Sequence, residues 1–483
     1  MKLRDILAGI DIVSTGVSLE LEIPGIAYDS RQVRPGELFV AVTGFASDGH
    51  RFIPMALEKG AAAVLCEHVP EGQIPYIQVK DTRLALALAS ANFFGHPANR
   101  MTFIGVTGTN GKTTTTYLLK TLLEKTLGAK VGLVGTIQNM IGEEALETER
   151  TTPESYELQK LFAQMAEAGC THVVMEVSSH ALVLDRVAGV HFQVGMFTNL
   201  TQDHLDFHKT MEEYRNAKAR LFRMCDVGVY NLDDEASEEI MAQATCRPLT
   251  YGQHHPADLM AEHAVLHSDS VSFTARYQGQ SAPIRLGIPG GFTVYNALGV
   301  LGAALALGIT LEDAAAALET AHGVKGRVEV VPTPGTDYTV LIDYAHTPDS
   351  LENVLRSVRG FCKGRVISVF GCGGDRDNTK RPIMGEIGAR LSDIAVITSD
   401  NPRTEDPFQI LQQILAGIPD RSNCVVEENR RKAIRMAMEL AKKDDIIVLC
   451  GKGHETYQIL GTEKTHLDER EEVAAALQEQ KGR

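Results

Sequence analysis

The run Ile104-Gly105-Val106-Thr107-Gly108-Thr109-Asn110-Gly111-Lys112-Thr113-Thr114-Thr115 constrains this chain more than any other stretch. Residues 103–106 are apolar and read as a short buried strand; a glycine-rich turn follows, and 113–126 has helical character. Strand, glycine loop, Gly-Lys-Thr and helix in that order make a phosphate-binding loop. Glycines let backbone amides curl around phosphate oxygens, and the helix N-terminus faces the same anion. Gly108, Thr109, Asn110, Gly111 and Thr114 are the candidate cradle for ATP. Lys112 is placed to reach the terminal phosphates, and the Thr113 hydroxyl to ligate Mg²⁺. Five residues, not four, separate Gly105 from Gly111.

That variant, Thr-Gly-Thr-Asn-Gly-Lys-Thr-Thr, resembles the ATP loop of the Mur ligases and their folylpolyglutamate synthetase relatives. Such enzymes join an amino group to a carboxylate through an acyl phosphate, and the resemblance recurs along almost the whole chain. At 483 residues the chain is too long for one ordinary core. The expected fold is α/β in three domains: a small UDP-binding domain at 1–99, a central P-loop domain with a parallel sheet at 100–325, and a C-terminal doubly wound, Rossmann-like domain at 326–483. Lys+Arg 47 against Asp+Glu 62 gives a net charge of −15, which argues against nonspecific nucleic-acid binding. The eight cysteines are scattered without a CxxC pair, so buried free thiols are expected. No signal peptide is expected, and the apolar run 297–309 is too short to span a bilayer and reads as a buried helix. A cytoplasmic monomer is expected.

Several stretches carry chemistry. Tyr28-Asp29-Ser30-Arg31 before Pro35-Gly36 resembles the uridine-nucleotide-binding segment of the family, which implies that Tyr28, Ser30 and the loop Phe45-Ala46-Ser47 hold the UDP end. A Pro/Asn turn at 96–99 marks the first boundary, and a helix is expected over 155–168. Thr151-Thr152 before Pro153 reads as a helix N-terminus signal; the resemblance implies that the pair also contacts the muramyl part of the substrate. Glu176 closes an apolar strand downstream of the phosphate loop, where a P-loop enzyme places a Mg²⁺ ligand. The resemblance adds Ser178 and Arg186 as contacts to the nucleotide-peptide, but position 184 is Leu where some members carry Gln. Asp203-His204-Leu205-Asp206 forms a polar cluster, and the resemblance makes His204 a second metal ligand. By its own sequence context Lys218 reads as a solvated helix residue. Tyr214-x-x-Ala217-Lys218-x-x-Leu221-Phe222 nevertheless matches the segment whose lysine is N-carbamylated, which implies that CO₂ turns Lys218 into a carboxylate beside Glu176 and His204. Asn296, Arg327 and Asp343 are implied contacts to ATP, with a second boundary near 323–329.

Strands are expected at 366–370, 394–397 and 446–449 of a doubly wound sheet, whose ligands lie beyond strand C-termini. The loops that follow are Gly371-Cys372-Gly373-Gly374-Asp375-Arg376-Asp377, Asp400-Asn401-Pro402-Arg403 and Gly451-Lys452-Gly453-His454-Glu455. Arginines and acids at one sheet edge suit a zwitterion. In the family, Asp-Asn-Pro-Arg marks addition of meso-2,6-diaminopimelate, which is lysine with an extra carboxylate. A planar guanidinium binds a carboxylate with two hydrogen bonds. Arg376 and Arg403 are therefore candidate carboxylate readers and Glu455 a reader of the distal ammonium, with Asp400, Asn401, Pro402 and Gly451 lining the site. The resemblance implies the substrates UDP-N-acetylmuramoyl-L-alanyl-D-glutamate, ATP and meso-diaminopimelate. Lysine addition, folylpolyglutamate synthesis and a P-loop ATPase driving a conformational change remain the alternatives.

Overall fold

The computed structural model describes residues 1–44, 47–148, 150–321 and 323–481, without the side chains of Asp206 and Lys481. Phe45 and Ala46, expected to hold UDP, and the carboxylate of Asp206 thus lie outside the described residues. The chain divides into two compact units, Met1–Leu259 with Gly299–Thr310 and Met260–Leu298 with Leu311–Arg483.

The first unit holds two sheets. In the smaller, the spatial order is Ile12–Thr15, Tyr76–Val79, Ala63–Cys66, Leu38–Val40, Ile26–Ala27, parallel except for the first pair. In the larger, Arg247–Gly252, Cys225–Asn231, Phe192–Phe197, Thr102–Thr107, His172–Glu176 and Val131–Val134 run parallel. Asn139–Ile141 and Glu144–Leu146 continue this sheet antiparallel. Thr102–Thr107 is central and buried from Phe103 onward, which is why it reads as a continuous apolar run and not an alternating one. Its Phe103 meets Phe162 and Phe192 edge-on, at 4.8 and 6.1 Å between ring centres. In register, Val106 lies opposite Glu176, and Thr107 opposite Phe197. The C-terminal ends of three neighbouring strands therefore meet at one edge, with the helix Lys112–Leu127 starting from it.

In the second unit, Val271–Tyr277 and Gln280–Leu286 form an antiparallel hairpin. A six-stranded sheet follows in the order Glu329–Val331, Thr339–Asp343, Ile446–Cys450, Val366–Phe370, Ile394–Ile397, Cys424–Val426, parallel except for the first pair. Its four inner strands are almost wholly buried, and the three loops singled out from sequence all start from neighbouring C-terminal ends. The parallel sheets bear out the α/β expectation.

The apolar run 297–309 falls largely in the helix Gly291–Ala306, buried from 296 to 304. Among the described residues no helix is long and apolar enough to cross a membrane. All eight cysteines are free thiols, five of them buried. Two local expectations are corrected. Thr151 and Thr152 do not cap the helix Ser155–Glu167: its N-cap is Glu154, without a side-chain cap bond, because the Thr152 hydroxyl is used elsewhere. Lys218 is not solvated but 1% exposed, since the helix Met211–Ala219 turns that face inward.

Candidate active site

The phosphate loop is held open by its neighbours. Gly108 has φ +150, and a Cβ there would lie 1.9 Å from Thr198 Oγ1, so only glycine lets the chain pass. The next turn is tied to 198–201 by hydrogen bonds. Thr109 N donates to Asn199 O (2.9 Å), Asn110 N to Asn199 Oδ1 (2.9 Å), and Thr198 Oγ1 to Asn110 O (2.7 Å). Gly111, at φ +86, then starts the helix Lys112–Leu127, in whose first turn Thr113 and Thr114 are buried.

Two lysines converge on one carbonyl of this loop. Lys112 Nζ donates to Gly108 O (3.0 Å) and Thr109 O (2.8 Å), and Lys218 Nζ donates to Gly108 O (2.7 Å). The Lys218 ammonium also lies 4.3 Å from the centre of the Tyr214 ring, one helical turn back, and Tyr214 Oη is 3.2 Å from Thr109 Oγ1. Burial, and then the charge of Lys112, push the Lys218 ammonium well below its ordinary range. Two lysine head groups meeting at one carbonyl make a place for anionic ligand atoms, and burial favours the nucleophilic free-amine form of Lys218.

Glu176 sits at the adjacent strand end and is 1% exposed. Thr136 answers its burial with two bonds, from N to Oε1 and from Oγ1 to Oε2, both 2.9 Å. Thr151 Oγ1 in turn lies 3.0 Å from Thr136 Oγ1. A Cβ on Gly135 would stand 2.7 Å from Glu176 Oε1, so that glycine leaves room for the carboxylate. Thr152 Oγ1 donates to the Glu176 carbonyl (2.8 Å), and its oxygen receives Ser178 N (3.2 Å). Arg186 donates to Thr152 O (3.0 Å) and pairs with Glu154 at 2.7 Å. Glu176, Thr151, Thr152, Ser178 and Arg186 are thus one connected shelf. Tyr28 reaches it through Glu157, to whose Oε2 its hydroxyl donates at 2.8 Å, on the same helix as Glu154's cap. Ser30 stands apart, buried with its hydroxyl 3.5 Å from Met55 Sδ.

His204 has left-handed backbone and a half-exposed side chain, with Nε2 3.4 Å from Asp203 and its ring 5.0 Å from that of His180. Among the described residues no three His, Cys, Asp or Glu side chains gather closely enough to hold a metal as they stand.

In the second unit, Asp343 ends its strand buried, accepting from Val328 N and Ala345 N at 2.9 Å each. Burial raises its carboxyl above the ordinary range, against the pull of Arg327. Arg327 lies 5.5 Å over the Tyr344 ring, and its Nε is buried without a hydrogen bond among the described residues. The same holds for Nδ2 of Asn296, in the second turn of its helix. Such orphaned donors are costly unless a ligand or water takes them.

The three strand-end loops are locked together by charges that sequence reasoning passed over. Lys452, fully buried, donates to Asn401 Oδ1 (2.7 Å) and Glu455 Oε2 (2.8 Å) and lies 3.4 Å from Asp400. Asn401 Nδ2 donates to the same Glu455 oxygen (3.1 Å), so its amide is a strut. Arg381, 0% exposed, holds both oxygens of Glu405 and donates to Gly373 O. Glu405 accepts Asp375 N, and Asp375 takes the Thr404 hydroxyl, fastening the first loop to the second. Arg403 sits at φ +51, with N bonded to Ile459 O and Nη1 donating to Gly374 O (2.7 Å). The hairpin of Tyr457–Leu460 and Glu463–His466 flanks this turn, and Gln458 Nε2 donates to Asp400 O at 2.6 Å. Pro402 and Gly451 are buried, while Arg376 is exposed, bonded to Asp375 O. The structure therefore brings Asp400, Asn401, Arg403, Gly451 and Glu455 together, with Arg376 at their rim. The charged residues of Gly451-Lys452-Gly453-His454-Glu455 were visible in the sequence; that Lys452 is the buried one was not.

Models of three known domains match this chain in succession: the Mur ligase family catalytic domain over 22–94, the Mur ligase middle domain over 106–304, and the Mur ligase glutamate ligase domain over 326–453. A UDP-N-acetylmuramoyl-L-alanyl-D-glutamate–2,6-diaminopimelate ligase of Clostridium botulinum is 52% identical over 464 residues, covering 95% of this chain and 96% of that protein. One of Clostridium acetobutylicum is 50% identical over 483 residues, covering 99% and 100%. A solved structure of a ligase of the same description superposes with a TM-score of 0.75 at 31% identity, over 100% of this chain and 99% of the other. Phosphate loop, buried lysine and strand-end loops thus fall in the order of those matched domains, and the chain belongs to the Mur ligase family.

Proposed function

We propose that this protein is an ATP-dependent amide ligase that adds meso-2,6-diaminopimelate to UDP-N-acetylmuramoyl-L-alanyl-D-glutamate. The observation that carries the reading is the convergence of Lys112 and Lys218 on the Gly108 carbonyl, inside a glycine loop at a helix N-terminus. Loop amides of 108–114 and Lys112 hold the ATP phosphates. Asn296, Arg327 and Asp343 are assigned to the nucleotide, and the orphaned donors of the first two favour this. Tyr28, Ser30, Thr151, Thr152, Ser178 and Arg186 are assigned to the nucleotide-peptide. Its D-glutamate side carboxylate takes the γ-phosphoryl group to give an acyl phosphate and ADP. The neutral amine of diaminopimelate attacks the acyl carbon, and the tetrahedral intermediate expels phosphate. Lys112 and the loop amides offset negative charge at both stages.

Lys218, whose charged form burial disfavours, adds as the free amine to CO₂ to give a carbamate and a proton. That carbamate, Glu176, His204 and the Thr113 hydroxyl are the proposed Mg²⁺ donors, and the ion, when bound, neutralises phosphate charge. Arg403 and Arg376 read the carboxylate that distinguishes diaminopimelate from lysine, and Glu455 its ammonium, within the pocket of Asp400, Asn401, Pro402 and Gly451. The domain limits proposed with it are 1–99, 100–325 and 326–483, in a cytoplasmic monomer. The test is an ADP-release assay with each substrate omitted in turn and a panel of amino acids. ADP equimolar with amide product, and only with nucleotide-peptide and diaminopimelate both present, is expected. ADP release independent of the amino acid makes the protein an ATPase instead; preference for lysine refutes the substrate assignment.

A further inference from the structure

Arg430 opens the helix Arg430–Leu440, where a cation opposes the helix dipole, and it is 1% exposed. Its guanidinium donates through Nη2 to Cys450 O (2.7 Å) and through Nη1 to Ser399 O (3.3 Å). Each of those carbonyls immediately precedes a proposed amino-acid-binding loop, Gly451 onward and Asp400 onward. The strands leading into them are not neighbours, since Val366–Phe370 lies between. No ladder hydrogen bond joins these two strands directly; the Arg430 side chain spans the strand between them, behind the Lys452 and Asn401–Glu455 contacts that link the loops at their front. Glu469, also fully buried, supplies the counter-charge, with Oε1 2.9 Å from Nε and 2.7 Å from Nη2. A buried ion pair contributes little net stability compared with apolar packing of similar volume, so its value here lies in placement.

We propose that Arg430 is a positioning residue that sets the distance between the 400–403 loop and the 451–455 loop, with Glu469 as its orienting counter-ion. This rests on the amino-acid-binding role proposed above for those loops. The fork fits the task because a planar guanidinium fixes two acceptors at a set separation and direction, where an ammonium leaves the direction free.

The test compares the parent with Arg430→Lys and with the double variant Arg430→Met/Glu469→Leu, whose apolar pair removes both charges and keeps the fold. KM for diaminopimelate, ATP and the nucleotide-peptide, the thermal midpoint, and amide hydrogen exchange across 399–403 and 451–455 are measured. In both variants KM for diaminopimelate should rise about tenfold or more, with the other two KM values within about twofold. Both loops should exchange faster together. A double variant with parental KM for diaminopimelate, a parallel rise of all three KM values, or faster exchange in one loop alone would overturn the proposal. If the parent itself adds no diaminopimelate, the substrate reading fails, and the exchange at the two loops still decides whether Arg430 couples them.

Discussion

In the phosphate loop of the first unit, Lys112 and Lys218 donate to the same Gly108 carbonyl. At the sheet edge of the second unit, Lys452, as buried as Lys218, is met by Glu455, Asn401 and Asp400. In the first, positive charge rests on backbone dipoles beside a glycine loop, and burial drives one lysine toward its neutral form. In the second, charges cancel in place: Lys452 against its acids, Arg381 against Glu405. The first arrangement suits the bond-making proposed for it. The second is already neutralised, and suits a rigid frame for the proposed carboxylate readers Arg403 and Arg376.

Stability should show the contrast most strongly. Lys452→Met leaves Asp400 and Glu455 buried without their cation and should cost about 3–5 kcal/mol, read by denaturant unfolding. An unchanged midpoint would contradict the cancelling-charge description. Lys112→Ala should instead spare the fold and lower kcat by about 10²- to 10³-fold, as expected for loss of a group that stabilises transferring charge. A kcat within about threefold of the parent would remove it from the chemistry. Arg403→Ala should leave ATP turnover chemistry intact. It should narrow the preference for diaminopimelate over lysine by about 10- to 100-fold in kcat/KM, the contribution of one charged hydrogen bond. Arg403→Lys should be impaired as well, because it keeps the charge and loses the fork.

The smallest effect on stability concerns Lys218. Its pKa is depressed in the folded protein, so the native state binds fewer protons than the unfolded chain between the lowered value and 10.5. This group therefore makes the unliganded protein more stable as pH rises through that window, and destabilises it below. Lys218→Met should raise the thermal midpoint at neutral pH and flatten that pH dependence, the opposite sign to Lys452→Met, while abolishing activity. In the parent, ¹³CO₂ should give one carbamate carbon resonance that Lys218→Met removes and Lys452→Met retains. A midpoint lowered equally by both substitutions would erase the distinction between the two lysines.

What could be read from the sequence follows the same division. The phosphate loop is twelve contiguous residues, and its strand, turn and helix appear where periodicity puts them. The apolar runs 366–370 and 394–397 are strands to the residue, and the 446–449 run extends by one, to Cys450. Lys218 could be assigned only through its motif: its burial comes from packing against a loop 110 residues earlier, which no local pattern records. Thr152 looked like a cap because hydroxyls before proline usually are, yet its bond to the Glu176 carbonyl took precedence. Lys452, Arg381 and Arg430 look like ordinary surface cations in sequence. Each has partners in a distant segment of the chain, Asn401 for Lys452, Glu405 for Arg381 and Glu469 for Arg430, so their burial follows from topology. Gly135 likewise reveals its reason only through the carboxylate packed against it.

The central claim is a division of labour, with phosphoryl transfer at the lysine-lined loop and amino-acid selection at the neutralised sheet edge. Positional isotope exchange tests it directly, using γ-phosphate-labelled ATP with ¹⁸O at the β,γ bridge and the nucleotide-peptide, without any amino acid. Reversible acyl phosphate formation should scramble the label in the parent and equally in Arg403→Ala, and Lys112→Ala should show none. Scrambling that required diaminopimelate, or that disappeared in Arg403→Ala while the fold stayed intact, would contradict the account.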